Sequence, residues 1–176
     1  MFKSILVYGL VAGIIAGGVL SFTTVTGVGG HSSYAMAIGY LTMLIALSAI
    51  FLAVKSQRDK ALGGVIRFWP ALAMGLGVSI VAGIIYVACW DATLAFTHMD
   101  FAGEYAKAMI AQQQAKGASA ADIAGITAQM DQFKAQYANP LYRWPMTFIE
   151  IFPVGVLVSL VSAALLRNPR FMPARS

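Results

Sequence analysis

Residues 4–54 read SILVYGLVAGIIAGGVLSFTTVTGVGGHSSYAMAIGYLTMLIALSAIFLAV, with no Asp, Glu, Lys or Arg among them. A helix crosses a bilayer in about 20 apolar residues, so the run is long enough to cross twice. The glycines of Thr26-Gly27-Val28-Gly29-Gly30 permit a tight reversal between the two crossings. Ser32 or Ser33 stands where the second helix needs an N-cap.

Two further apolar stretches lie downstream, Phe68 to Trp90 and Met146 to Leu166. The chain of 176 residues is 59% hydrophobic and 11% charged, with a mean hydropathy of +0.75, which places it in the membrane class. The expected fold is therefore an all-α membrane protein with four transmembrane helices at about 5–25, 34–54, 70–90 and 146–166. It forms a single four-span domain over 1–176, with an extracytoplasmic helical hairpin inserted at 91–145 between the third and fourth spans. Lys3 before an apolar run imitates a signal peptide, but Ser21-Phe22-Thr23-Thr24 supplies no small-x-small cleavage site, so the first helix is read as retained.

The net charge of +5 does not point to nucleic acid, because the basic residues flank the spans instead of forming a separate patch. With the N-terminus inside, Lys3, Lys55, Arg58, Lys60, Arg67, Arg167, Arg170 and Arg175 face the cytoplasm, leaving Lys107, Lys116, Lys134 and Arg143 outside. The positive-inside rule then puts both termini in the cytoplasm. Lys55, Arg58, Lys60 and Arg67 surround a Gly63-Gly64 turn and read as a basic loop facing lipid headgroups.

Within 91–145 the pattern gives two helices broken at Lys116-Gly117-Ala118. Ser119 and Asp122 fit a capping box, and Ile123, Ile126, Met130, Phe133 and Tyr137 recur at helical spacing. Phe101, Tyr105 and Met109 make a matching face, so the expectation is a hairpin packed on itself or on the membrane surface, ended by Asn139-Pro140. A partner-binding groove is the alternative.

Gly9, Gly13 and Gly17 recur at four-residue steps, as do Gly75, Ser79 and Gly83, and then Gly155, Ser159 and Ala163. Such stripes let backbones approach closely in lipid, and packing inside a four-helix bundle is expected over a dimer face. The second span has no such series and is expected to face lipid more fully.

Glu150 is the one ionisable side chain in the last span. Counting from Pro145 puts it roughly 7 Å into the helix, with Arg143 two turns away as a candidate neutralising partner. Pro153 removes the donor that the Ile149 carbonyl would receive. Glu150, Pro153 and Arg143 are thus the candidate polar intramembrane site, structural at the interface or able to hold a proton, cation or headgroup.

No catalytic residue, cofactor site or metal site is assigned. Cys89 is the single cysteine and reads as packing. His31, His98, Asp91 and Asp100 match no recurrent ligand spacing. Gly27-Val28-Gly29-Gly30 lacks the strand and lysine of a nucleotide loop, and no serine or cysteine stands in a nucleophile motif.

The loop residues Lys55, Arg58-Asp59, Gly63-Gly64 and Phe68, with Phe152-Pro153-Val154-Gly155 and the Ser-Leu-Val-Ser-Ala-Ala run ending at Arg167, resemble the bacterial membrane family of unknown function numbered forty-one ninety-nine. The resemblance covers essentially the whole chain and implies four spans and a bacterial inner-membrane location, with no catalytic residues. The expected role is a non-enzymatic accessory or assembly subunit whose partners are membrane lipids and another membrane protein or a second copy of itself. The alternative is a small homo-oligomeric transport or lipid-handling protein using Glu150 near Pro153. A third reading, a lipid-acting enzyme, would need Asp91, His98 and Glu150 to converge.

Overall fold

A computed structural model describes residues 1–27 and 33–173, with side chains described from Ala37 onward after the gap. The described residues form seven helices and no strand: α1 (Phe2–Thr26), α2 (Ser33–Leu47), α3 (Ala49–Ala61), α4 (Phe68–Thr97), α5 (Phe101–Ala115), α6 (Ala120–Tyr137) and α7 (Pro140–Leu166). Four stretches are long and apolar enough to cross a membrane: Phe2–Thr26, Ala37–Ala61, Phe68–Thr97 and Pro140–Leu166. Val28, Gly29 and Gly30 of the glycine turn, His31, the Ser32 cap and Arg175 lie outside the described residues.

The spans exceed their expected lengths. The second runs through Ser48, whose amide still bonds the Leu44 carbonyl at 2.9 Å, and continues to Ala61, so Arg58 and Lys60 are helical and not in a loop. The third persists to Thr97 and the fourth begins at Pro140, so only 98–139 separates them instead of 91–145. The reason is local. Asn139 Oδ1 accepts from the Leu141 amide at 3.0 Å, and Pro140 occupies the first helical position, where its missing donor is harmless. Helix α7 then continues through Pro145 and Pro153.

The chain divides into two compact units, Met1–Trp90 with Phe148–Ser176, and Asp91–Thr147. In the first unit the small residues face inward and the large aliphatics outward. Gly9, Ala12, Gly13, Ala16 and Gly17 are the buried positions of α1, whereas Leu6, Val7, Leu10, Val11, Ile14 and Ile15 are exposed. Gly9 lies against Val78 and Val81, Gly13 against Ala82 and Ile85, and Gly17 against Tyr86 and Cys89, so α1 and α4 run parallel. Cys89 thereby fills a packing position. On the other side of α4, Gly75 meets Ser159, Ser79 meets Gly155, and Gly83 meets the Phe148 ring, an antiparallel pairing with α7. The α4 and α7 stripes thus fill each other, and the α1 glycines are filled by Val81, Ile85 and Cys89, all inside the unit. The start of α1, the α3–α4 connection and the end of α7 consequently share one end of the bundle.

The second span is not the lipid-facing one. Met43, Ala46, Leu47, Ile50, Ala53 and Val54 all enter the core, showing that a helix without a glycine series still packs through medium side chains. Serine and threonine hydroxyls in the spans turn to their own helix: Ser21 donates to the Gly17 carbonyl at 2.8 Å, Thr24 to Leu20 at 2.8 Å and Thr42 to Ile38 at 2.9 Å. Ser79 and Ser159 each donate to the carbonyl four residues back, and their oxygens stand 3.2 Å apart across the α4–α7 contact.

The second unit is built around the α5–α6 hairpin. Asp100 caps α5 by accepting from the Gly103 amide at 2.9 Å. Gly117, at φ 77°, ends the helix: its amide bonds the Gln114 carbonyl and that of Ala118 the Gln113 carbonyl, a Schellman closure. The Ser119–Asp122 capping box opens α6. The two apolar faces meet through Phe101 with Tyr137, centroids 5.7 Å apart, and Tyr105 with Phe133, also 5.7 Å.

A methyl group at Gly13 would sit 2.6 Å from the Ile85 Cβ and 2.7 Å from the Ala82 oxygen, whereas Gly18 faces open space. Gly13→Ala is expected to destabilise the protein in detergent by about 1–3 kcal/mol through overpacking. Gly18→Ala is expected to be neutral or stabilising by up to about 1 kcal/mol. Thermal unfolding of both variants checks the pair.

Candidate functional site

Three polar arrangements occur among the described residues of the spans and their ends, and they differ in how completely each charge is answered.

The first lies in the second unit. Asp91 on α4 receives two bonds from Arg143 on α7, from Nε at 2.9 Å and from Nη2 at 2.5 Å. Nη1 of the same guanidinium donates to the Tyr137 carbonyl at 3.1 Å, and its carbon lies 5.8 Å from the centre of the Tyr137 ring. Arg143 is therefore Asp91's partner and is withdrawn from the role of neutralising Glu150. The sequence offers no cue to this, since 52 residues separate the two. Asp91 is held by Arg143 and Asp100 by its cap, which commits both acids that the sequence sets beside His98.

The second is Glu150, in the first unit. It stands on α7 about 25 Å along the axis from Arg167. Because α7 begins at Pro140 and not at Pro145, Glu150 lies about 15 Å into the helix, farther than the count from Pro145 gives. It is an exposed residue, and its carboxyl interacts with the hydroxyl of the fully buried Tyr86 on α4. Among the described residues no ion pair to Glu150 forms. Pro153, one turn on, is exposed, and its ring nitrogen leaves the Ile149 carbonyl without the usual donor. Sequence reasoning misses Tyr86 because, inside an apolar run, a tyrosine reads as core; only the α4–α7 register aligns it with Glu150.

The third is at the opposite end of the first unit and corrects the basic-loop expectation. Arg58 does not face headgroups. It is fully buried, with Nε donating to Asp59 Oδ1 at 2.7 Å, Nη1 to the Phe171 carbonyl at 2.9 Å and Nη2 to the Met172 carbonyl at 2.5 Å. Lys55 pairs with the other oxygen of Asp59, and Lys60 and Arg67 are exposed. A buried guanidinium needs most of its donors answered, and the end of the chain after α7 supplies two of the acceptors.

These features define the class: a helical membrane protein of four spans, packed through small residues, with a polar helical hairpin between the last two. The chain belongs to the family described as protein of unknown function (DUF4199), whose family model matches residues 7–168. No curated protein and no solved structure matches it.

A double-mutant cycle on Asp91→Asn and Arg143→Gln, read by thermal unfolding, is expected to give a coupling of about 0.5–3 kcal/mol, the range for residues in direct contact. Additive effects would mean that the pair does not hold the second unit together.

Proposed function

We propose that this is a small transport or lipid-handling membrane protein, homo-oligomeric, in which Glu150 holds and exchanges a proton or small cation. The observation that carries the reading is Glu150, an exposed residue on a transmembrane helix whose carboxyl meets the Tyr86 hydroxyl and has no ion pair among the described residues. An intramembrane acid costs free energy to place and marks an ion or proton path by default. Tyr86 offers a donor to the ionised carboxylate, and the Ile149 carbonyl offers an acceptor nearby. An exposed acidic residue on a span also favours a second copy of the chain covering it.

The accessory or assembly role stands second. The two surfaces that recommend it are the small-residue stripes and the apolar faces of α5 and α6, and each is filled from within the chain. A partner would have to use the lipid-facing aliphatics or the polar outside of the hairpin instead.

The basic end of the first unit carries Lys3, Lys55, Arg58, Lys60, Arg67, Arg167 and Arg170 against the single acid Asp59 among the described residues. That asymmetry supports cytoplasmic termini, an extracytoplasmic hairpin and, with the family resemblance, residence in a bacterial inner membrane.

Purified protein in liposomes with an imposed pH gradient and an enclosed pH dye is expected to dissipate the gradient faster than empty vesicles. Glu150→Gln should return the rate to the empty-vesicle value while leaving thermal unfolding intact, and Tyr86→Phe should slow it severalfold. Equal rates for the wild type and Glu150→Gln would sink the proton reading; repeating the assay with Na⁺ or K⁺ gradients tests the cation. Orientation is checked separately by replacing Cys89 and labelling single cysteines at Lys60 and Gly117 with an impermeant reagent in intact cells. Labelling at Gly117 alone is expected; labelling at Lys60 alone would invert the topology.

A further inference from the structure

The buried Arg58 has a consequence independent of Glu150. It stands in the last turn of α3, and the carbonyls it binds belong to the segment that follows α7. The Phe171 ring packs edge-on against Phe51, centroids 6.4 Å apart, so the tail is fixed back onto α3 by a ring contact as well as by the guanidinium. Guanidinium stays charged in any environment, and this one directs its charge to two neutral carbonyls and one carboxylate that Lys55 also uses. Asp59 is thus already matched from both sides.

The fold-back brings the exposed tail cations Arg167 and Arg170 to the end of the bundle that also carries exposed Lys60 and Arg67. No acid other than Asp59 accompanies them among the described residues of this end. Exposed apolar side chains alternate with these cations: Leu62, Val65 and Trp69, the last 74% exposed. Cations interleaved with exposed aliphatic and indole groups suit the boundary where phosphates meet acyl chains; a site for a soluble anion would not need the apolar groups.

We propose that the α3–α4 connection and the folded-back tail form a two-segment seat for an anionic phospholipid headgroup, with Arg58 as the positioning residue that holds the tail half in place. Topology alone would scatter basic residues along this face. The seat requires that the two segments act on one ligand.

The full-length protein in mild detergent, titrated with phosphatidylglycerol and in parallel with phosphatidylcholine, is followed by native mass spectrometry. Phosphatidylglycerol is expected to be retained preferentially. A cation near an anionic headgroup contributes about fivefold in binding, so Lys60→Glu and Arg170→Glu should each weaken retention by at least that factor. Combined, they should lose less than the product of the two, because both address the same headgroup. Arg58→Gln should reproduce the Arg170→Glu loss; should that variant not fold, the exposed pair decides alone. Equal retention of the two lipids, unchanged preference in the charge reversals, or strictly multiplicative losses would overturn the proposal. So would equal competition by soluble glycerol phosphate, which would make this a site for free anions.

Discussion

Inside lipid there is no water to drive helices together, so the bundle depends on how closely its backbones approach. Helix α4 is the element on which this constraint falls. One side of it receives Gly9, Gly13 and Gly17 of α1, and another side carries Gly75, Ser79 and Gly83 into Ser159, Gly155 and Phe148 of α7. Each small residue on one helix is matched by a larger group on the other, so bulk is shared across the contact. The outcome inverts the pattern of a soluble protein: glycine and alanine inside, leucine, isoleucine and valine outside. Parallel packing of α1 on α4 and antiparallel packing of α7 on α4 then fix which loops share an end. The concentration of basic charge at one end follows from that arrangement.

The same absence of water dictates how polar groups are treated. Serine and threonine hydroxyls in the spans turn back to their own helix, as Ser79 and Ser159 do even while facing each other. Ionic groups cannot be satisfied that way. Arg58 draws in a distant segment of the chain, whose carbonyls become its ligands, and Arg143 is answered by Asp91 and by the Tyr137 carbonyl. Glu150 departs from this pattern. The Tyr86 hydroxyl meets it, and no ion pair to it forms among the described residues. Arg58 and Arg143 are thus answered by charge and by carbonyls, and Glu150 by a hydroxyl.

Much of this is legible in the sequence because the signals are local. Hydropathy places four spans, the Ser119–Asp122 spacing gives a cap, Gly117 gives a helix end, and the four-residue repetition of small residues marks helix contacts. What escapes depends on register between distant segments. Nothing in Lys55 to Arg67 distinguishes Arg58 from its neighbours; it turns inward because it lies one turn after the core residue Val54, on the same face as Ile50 and Val54. Span ends escape too, since hydropathy falls before hydrogen bonding does: Asp91 to Thr97 are polar enough to read as loop, yet remain helical. The core role of the second span is hidden for a different reason. A missing glycine series does not mean missing contacts, and Met43, Leu47 and Ile50 bury well without one.

The first unit poses two opposite electrostatic problems. At the α3–α4 end the cations outnumber their single acid, and a favourable solution lies outside the chain, in the anionic phosphates of the bilayer. Glu150 has no ion pair among the described residues, and a membrane phosphate would not relieve it; a proton, a mobile cation, a zwitterionic headgroup's amine or a second chain has the right sign. Because Tyr86 is buried and fixed by the α4–α7 contact, its hydroxyl is a constant feature of that site whatever occupies the outer side. A donor fixed beside a carboxylate gives the charged form one hydrogen bond, and that same bond ties α4 to α7.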